Sequence, residues 1–266
     1  MMTYRDWNEQ CKDDYRKLFP NAKYTIWDGV ISPEIYEKSP LKIMFLNREP
    51  YDDDWEEYDL ADVLNKELTL GEKPLFKYQK NLRKRLKEYL GVVDLLENGC
   101  LMTISDGELI DKINALRETD LIFERMMPSV AYVNVKKSDG VKKSYISDLQ
   151  RYAIQGLSII ARQIEFFNPS IILAGNVGDG VLFSEKIEKI EWDENLYSPE
   201  GWSKVRIFQM RINGKLYPFV DMYHPSATQG GMSTYYLDLF HALKEVEKNF
   251  PNYWNKRLNL QCFNIN

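Results

Sequence analysis

The chain has 266 residues, 44% of them hydrophobic, which is enough to bury the core of a single α/β domain with insertions over residues 1–266. Its formal net charge of −5 argues against a histone-like protein that coats nucleic acid through general positive charge. No run reaches the roughly 18 apolar residues of a membrane span, and no apolar signal segment opens the sequence, so a cytoplasmic protein without a membrane partner is expected. The three cysteines are isolated and cannot form an iron–sulfur cluster or an all-cysteine zinc site, so no metal cluster is expected.

The first 41 residues predict one amphipathic helix and a connector. Aromatic and apolar residues recur at helical spacing over 3–18, and Pro20 ends the pattern. Residues 21–41 form the connector, so that 1–40 is interpreted as an N-terminal helical extension. The apolar run Ile43–Leu46 then predicts a strand over 42–47 that is covered on both faces, as in a parallel sheet, and Pro50 ends it.

A helical insertion is predicted over residues 52–127. It opens with the acidic stretch 52–59, which would repel a phosphate backbone. A helix is predicted from Lys73 to Leu90, with Gly91 as its C-terminal stop, and two or three short helices follow over 93–127.

The second half of the chain has the pattern of alternating strands and helices. Residues 130–136 and 170–174 predict two more buried strands, joined by a helix that begins at a capping box, Ser147 to Gln150, and ends before Pro169. Asn213-Gly214 predicts a hairpin between arms 205–213 and 215–223, and a last helix is predicted over 233–250. The fold class is therefore α/β.

Three polar residues fall at the carboxyl ends of the predicted parallel strands: Glu49, Asn134 and His224. In open α/β sheets this edge is where ligands bind, so we expect the three side chains to share one site. Taken singly, each is also typical of a turn former or a structural residue. Asn134 is less ordinary, because it interrupts an apolar Val-Asn-Val run.

The contexts of these residues resemble the motifs of the uracil-DNA glycosylase superfamily. Asn47-Arg-Glu-Pro-Tyr-Asp52 is similar to its first loop, and Val133-Asn-Val-Lys-Lys137 to the strand that carries a base-reading asparagine. Two later motifs of the superfamily are also matched, in the same order, by Asn168-Pro-Ser-Ile-Ile-Leu-Ala-Gly175 and His224-Pro-Ser226. The resemblance spans residues 42–240 and implies a three-layer α/β/α sandwich with a central, mainly parallel four-stranded sheet. It also implies a monomeric enzyme, without a metal or another cofactor, that flips an altered base out of DNA and hydrolyses its N-glycosidic bond.

The resemblance also implies a role for each matching residue. Glu49 would orient or deprotonate the attacking water and offset the positive charge of the sugar, and His224 would donate a hydrogen bond to the departing base. Asn134 would read the base edge, with Tyr51 as a pocket wall. Further expected contacts are Asn47, Pro225 and Ser226 with the substrate and its phosphate, and Lys136, Lys137, Thr228 and Met232 with the DNA backbone or as a wedge in the base stack.

The sequence departs from the family pattern at several of these positions. Asp52 replaces a histidine, Asn47 and Arg48 replace glycine and glutamine, and Thr228 stands where one branch has a leucine wedge. The target base is therefore left open. So is an alternative from another class, a catalytically silent module on the same fold that binds nucleic acid or protein.

A third hypothesis is an unrelated nucleotide-binding α/β protein that uses Gly175–Gly180 as a phosphate loop. This segment lacks the Lys-Ser/Thr of a P-loop and the GxGxxG spacing. A serine hydrolase is disfavoured because no Gly-x-Ser-x-Gly elbow is present. With only two histidines in the chain, a histidine-rich metal site is disfavoured as well.

Overall fold

The computed structural model describes residues 3–50, 57–70, 80–138, 145–178, 181–182, 191–197, 205–225 and 235–258. Its helices are α1 (Tyr4–Leu18), α2 (Pro33–Lys38), α3 (Leu60–Leu70), α4 (Lys80–Glu97), α5 (Asp106–Glu118), α6 (Leu121–Met126), α7 (Ile146–Phe167), α8 (Tyr235–Asn249) and α9 (Tyr253–Leu258). Its strands are β1 (Ile26–Trp27), β2 (Gly29–Val30), β3 (Ile43–Asn47), β4 (Tyr58–Asp59), β5 (Val130–Asn134), β6 (Ile171–Gly175), β7 (Glu191–Tyr197), β8 (Arg206–Ile212) and β9 (Lys215–Met222).

The central sheet has the strand order β2-β5-β3-β6-β9-β8-β7. Its four middle strands, β5, β3, β6 and β9, run parallel to one another, and antiparallel strands close both edges. The predicted α/β class with a mainly parallel core is confirmed. The sheet is wider than the predicted four strands, because β2 lies hidden in the expected connector and β7 in a segment with no clear strand pattern.

Buried side chains form two clusters, one on each face of the sheet. Consecutive residues of one strand, such as Met44 and Phe45, belong to opposite clusters, as the period of a strand requires. The first cluster includes buried residues of α3 to α6, α8 and α9, and the second those of α1, α2 and α7. Helices therefore cover both faces of the sheet.

The strongest local patterns are confirmed. The hairpin turns at Asn213 and Gly214, both with positive φ, and the helix before Pro169 ends at Asn168 in the left-handed conformation. Residues 57–59 of the predicted acidic loop include the short strand β4, which pairs with β1. Residues 52–56 lie outside the described part of the chain, as does the start of the helix predicted from Lys73.

Two predicted helix ends are wrong. Gly91 does not stop α4, which continues to Glu97; a Cβ at Gly91 would lie 2.7 Å from Leu116 Cδ1, so the glycine allows α5 to approach closely. α7 begins at Ile146 with Tyr145 as N-cap, and its N-cap makes no side-chain hydrogen bond. Ser147 therefore lies inside the first turn instead of capping it.

Candidate functional site

Two asparagine side chains lie next to each other where the central strands end. Asn47 of β3 and Asn134 of β5 are paired in register, and each is 1% exposed. They continue the rows of Phe45 and Tyr132 on one face of the sheet, because side chains two residues apart in a strand share a face. The last layer of this face is thus polar instead of apolar.

Four buried polar atoms in this layer and in the loop after it lack hydrogen-bond partners among the described residues. They are Asn47 Nδ2 and Oδ1, Asn134 Nδ2 and, in the following loop, Glu49 Oε1. Most buried polar atoms in folded proteins are paired, and leaving one unpaired costs about 1–3 kcal/mol. Four such atoms at the carboxyl ends of the parallel strands, where ligands bind in open α/β sheets, make this edge the candidate binding site.

Gly175 at the end of β6 lets His224 approach this pair. A Cβ on Gly175 would lie 2.6 Å from Asn47 Oδ1, 2.9 Å from His224 Cδ2 and 3.3 Å from His224 Cα. The two shortest of these contacts are closer than real Cβ atoms approach their neighbours, so the position must be glycine while both neighbours stay in place. The structure thus brings Asn47 and His224, from two separate predicted motifs, against the same backbone atom.

Glu49 belongs to a buried chain of charges. Its side chain is 4% exposed, and Oε2 lies 3.1 Å from Lys136 Nζ, which is also 2.9 Å from Asp148 Oδ2. Burial would lower the pKa of Lys136, but the hydrogen bond to Asp148 and the charge of Glu49 outweigh it and raise that pKa. The second oxygen of Glu49 can still accept a hydrogen bond from a ligand or a water.

His224 is partly buried and lies near the positive charge of Arg48. Burial first, and then the nearby Arg48 guanidinium, lower its pKa from 6.5 to about 4. The residue before it is held on both sides, since Tyr223 stacks on Tyr235 at 4.0 Å and its carbonyl accepts a hydrogen bond from the Tyr89 hydroxyl at 3.4 Å. With this pKa the imidazole of His224 is neutral at neutral pH, so it carries one N–H donor.

Two charged residues near the site were not predicted from the sequence. The pKa of Arg48 is lowered by burial, against the raising effect of Asp221 and Glu49, and its Nε donates to the Asn176 carbonyl at 3.3 Å. Asp221, which is 5% exposed, accepts a hydrogen bond from the Gly178 amide at 3.2 Å. The sequence contains a signal for Asp221, because this residue interrupts the apolar run of β9 just as Asn134 interrupts that of β5.

Asp221 also bears on the hypothesis of a phosphate loop at Gly175–Gly180. An amide that would have to face a phosphate is bonded to a carboxylate, whose charge would repel the anion. Residues 179–180 lie outside the described ranges, but the part that is described does not favour phosphate binding.

The two lysines expected to contact a DNA backbone are buried. Lys137 is 0% exposed, and its Nζ lies 2.6 Å from Asp28 Oδ1 and 2.8 Å from the Asn134 carbonyl. Asp28 Oδ2 in turn accepts a hydrogen bond from the backbone N–H of Asn134 at 2.7 Å. Lys137 thus fixes the backbone of Asn134 from inside the protein, and the prediction of a surface phosphate contact is wrong for it. Lys136 is 4% exposed and forms ion pairs with Glu49 and Asp148, so the prediction of a contact with the DNA backbone is wrong for it as well.

The remaining predicted site residues fall mostly outside the described ranges. Pro225 is described and buried directly after His224. Tyr51, Ser226, Thr228 and Met232 lie outside the described residues.

Neither of two open surface clefts coincides with this edge of the sheet. Two open clefts, of about 300 and 480 Å³, lie elsewhere, one beside Pro40 and Ser129 and one beside Leu116 and Leu121, and none of the predicted site residues lines either. Within the described ranges, no group of three or more His, Cys, Asp or Glu residues is arranged to hold a metal ion. Of the helices in those ranges, none combines the length and the apolarity needed to cross a bilayer.

Comparison with known proteins does not identify a family for this chain. No protein-family model, no curated protein and no solved structure matches the chain. Function must therefore be inferred from the geometry of the site and from the sequence motifs that form it.

Proposed function

We propose that the protein is a DNA glycosylase that hydrolyses the N-glycosidic bond of uracil or another altered base after flipping it out of the helix. The observation that carries the proposal is the set of buried polar atoms on Asn47, Glu49 and Asn134 that lack partners among the described residues. His224 packs against the same glycine as Asn47. Amides suit the edge of a planar base, because each offers one donor group and one acceptor.

The chemistry of base release supports this assignment. The bond breaks through a sugar with oxocarbenium character, and the base leaves as an anion. The carboxylate of Glu49 would offset the sugar charge and orient water through Oε1, which has no other partner among the described residues. The neutral His224 would donate its N–H to the base oxygen on which negative charge grows.

The test uses oligonucleotides that carry single altered bases, uracil among them, incubated with the full chain and then cleaved by alkali at abasic sites. We expect cleavage at one or more of these bases by wild type, and a rate lower by roughly 10²–10⁴ for Glu49→Gln. Glu37→Gln is the matched control, because Glu37 is 81% exposed and bonded to Lys42, away from the site. Absence of abasic sites with every substrate would overturn the proposal.

One observation favours the second candidate, a silent module that binds nucleic acid or protein. Glu49 Oε2 is already held by the buried Lys136, as in a structural ion pair. In that case wild type would release no base, and binding of the same oligonucleotides would be equal for wild type and Glu49→Gln.

A further inference from the structure

We propose that Asn47 is a second specificity-determining residue, which reads the base together with Asn134. The inference rests on the proposed function for its choice of a base as the ligand. It assigns to Asn47 one bidentate contact, made to a carbonyl and to the adjacent ring N–H of the base.

Asn47 is built into the sheet with no structural use for its amide. Neither Oδ1 nor Nδ2 has a hydrogen-bond partner in the described part of the chain, although the residue is 1% exposed. Asparagine also disfavours strands, whereas the four residues before it in β3 are apolar. An apolar residue at this position would pack without an unpaired polar group.

The orientation of the amide places it within the site. Asn47 Oδ1 points towards Gly175, where the missing Cβ leaves room for the side chain, and His224 lies against the same glycine. Asn134 is the register partner on the other side, and its Nδ2 is also unpartnered among the described residues. Asn47 thus lies between the residue expected to read the base and the residue expected to stabilise its departure.

The unpaired atoms define the chemistry of the ligand edge. The two amides offer two N–H₂ donors, Asn47 Nδ2 and Asn134 Nδ2, and one acceptor, Asn47 Oδ1. The complementary ligand edge has two carbonyl acceptors and an N–H donor, as in a cyclic imide. Bases that lack this N–H would leave Asn47 Oδ1 buried and unpaired, and sites built in this way discriminate strongly.

The experiment measures binding of free bases to the full chain by titration calorimetry, with uracil and 3-methyluracil as probes. The methyl group of 3-methyluracil replaces the hydrogen on N3, which is the ring N–H between the two carbonyls, and leaves both carbonyls in place. We expect wild type to prefer uracil at least about tenfold. Asn47→Ala should lose roughly 10-fold or more in affinity for uracil and most of this preference.

Two variants keep the test interpretable. Asn47→Asp has nearly the same shape but lacks the N–H₂ donor, so it should also bind uracil more weakly even if the alanine variant folds poorly. Asn114→Ala removes an exposed amide that accepts a hydrogen bond from Arg117 on α5, and it should bind like wild type. Equal binding of the two probes by wild type, or unchanged discrimination in both Asn47 variants, would overturn the inference.

The outcomes separate this inference from the proposed function. If free uracil binds with the expected dependence on Asn47 but no oligonucleotide loses a base, the glycosylase activity fails and the base-reading role stands. If bases are released and both Asn47 variants keep the substrate preference of wild type, the role of Asn47 fails and the activity stands.

Discussion

His224 couples the chemistry of the site to the stability of the protein. An imidazole with a pKa of about 4 is neutral at pH 7, and its N–H can stabilise a leaving anion without a full positive charge nearby. The same shift makes its protonation unfavourable in the folded state, since the charged form would be poorly solvated and close to Arg48.

The sign of the resulting pH dependence follows from linkage. Below about pH 6.5 the unfolded chain binds a proton at this histidine that the folded chain does not, so the free energy of unfolding falls as the pH drops from 6.5 to about 4. The loss attributable to His224 is at most about 3 kcal/mol. Urea unfolding of wild type and His224→Gln between pH 7 and 4 should show this part of the loss in wild type alone.

His241→Gln provides the matched control, because it removes the other histidine of the chain. Its side chain is 48% exposed and lies 3.0 Å from Asp106, away from the site. This variant should lose stability on acidification as wild type does. If His224→Gln did so as well, His224 would not carry the lowered pKa.

At the scale of elements, the site depends on how closely β6 and the segment after β9 approach each other. Gly175→Ala would place a methyl group against Asn47 and against the backbone of His224, so one of them must move. We expect a loss of roughly 1–3 kcal/mol in the free energy of unfolding, as is usual for overpacked interiors, together with weaker uracil binding. Chemical denaturation and calorimetry measure the two effects.

The substitution Gly107→Ala is the control. It shows the effect of replacing glycine by alanine where the new Cβ meets no neighbour, without the cost of overpacking. Gly107 lies in the first turn of α5, and a Cβ there would meet no atom within 4 Å. Gly107→Ala should stabilise the protein by up to about 1 kcal/mol, because alanine restricts the unfolded chain and favours the helix. A Gly175→Ala variant as stable as Gly107→Ala would contradict the close approach.

Elements with a strong local signal were predictable, and those defined by their neighbours were not. The apolar run of β3 and the Asn213-Gly214 turn each specify their structure within a few residues. The two-residue strand β2 exists because β5 lies beside it, and no local pattern shows this. Gly91 has the local signature of a helix stop, yet its role is set by Leu116, which belongs to the next helix, α5.

The features of the candidate site also fall into those that local sequence predicts and those that depend on distant neighbours. The positions of Glu49, Asn134 and His224 at the carboxyl ends of β3, β5 and β9 could be predicted, because the ends of parallel strands share one edge of a sheet. The meeting of Asn47, Gly175 and His224 depends on strand order, with β6 between β3 and β9, which a single sequence does not specify. The burial of Lys137 was missed because its partner, Asp28, lies 109 positions earlier.

At the scale of the whole molecule, the buried pair Asp28–Lys137 ties the N-terminal region to the site. Four parts of the chain meet at it: Tyr15 of α1 accepts a hydrogen bond from the Lys137 amide, Asp28 lies between β1 and β2, Lys137 follows β5, and Gln163 of α7 donates to Asp28. Burial raises the pKa of Asp28 and lowers that of Lys137, although each ion counteracts the shift of the other. Both ions also hold the backbone of Asn134.

Lys137→Met should therefore damage both stability and base reading. It leaves Asp28 as an unpaired buried charge, which typically costs about 3–5 kcal/mol, and it frees the Asn134 carbonyl. The double variant Asp28→Asn/Lys137→Met removes that charge and should recover part of the stability in urea unfolding. Because the fixed backbone of Asn134 is not restored, uracil binding should stay weaker than in wild type. A single variant that loses less than about 1 kcal/mol would show that the pair does not join these four elements.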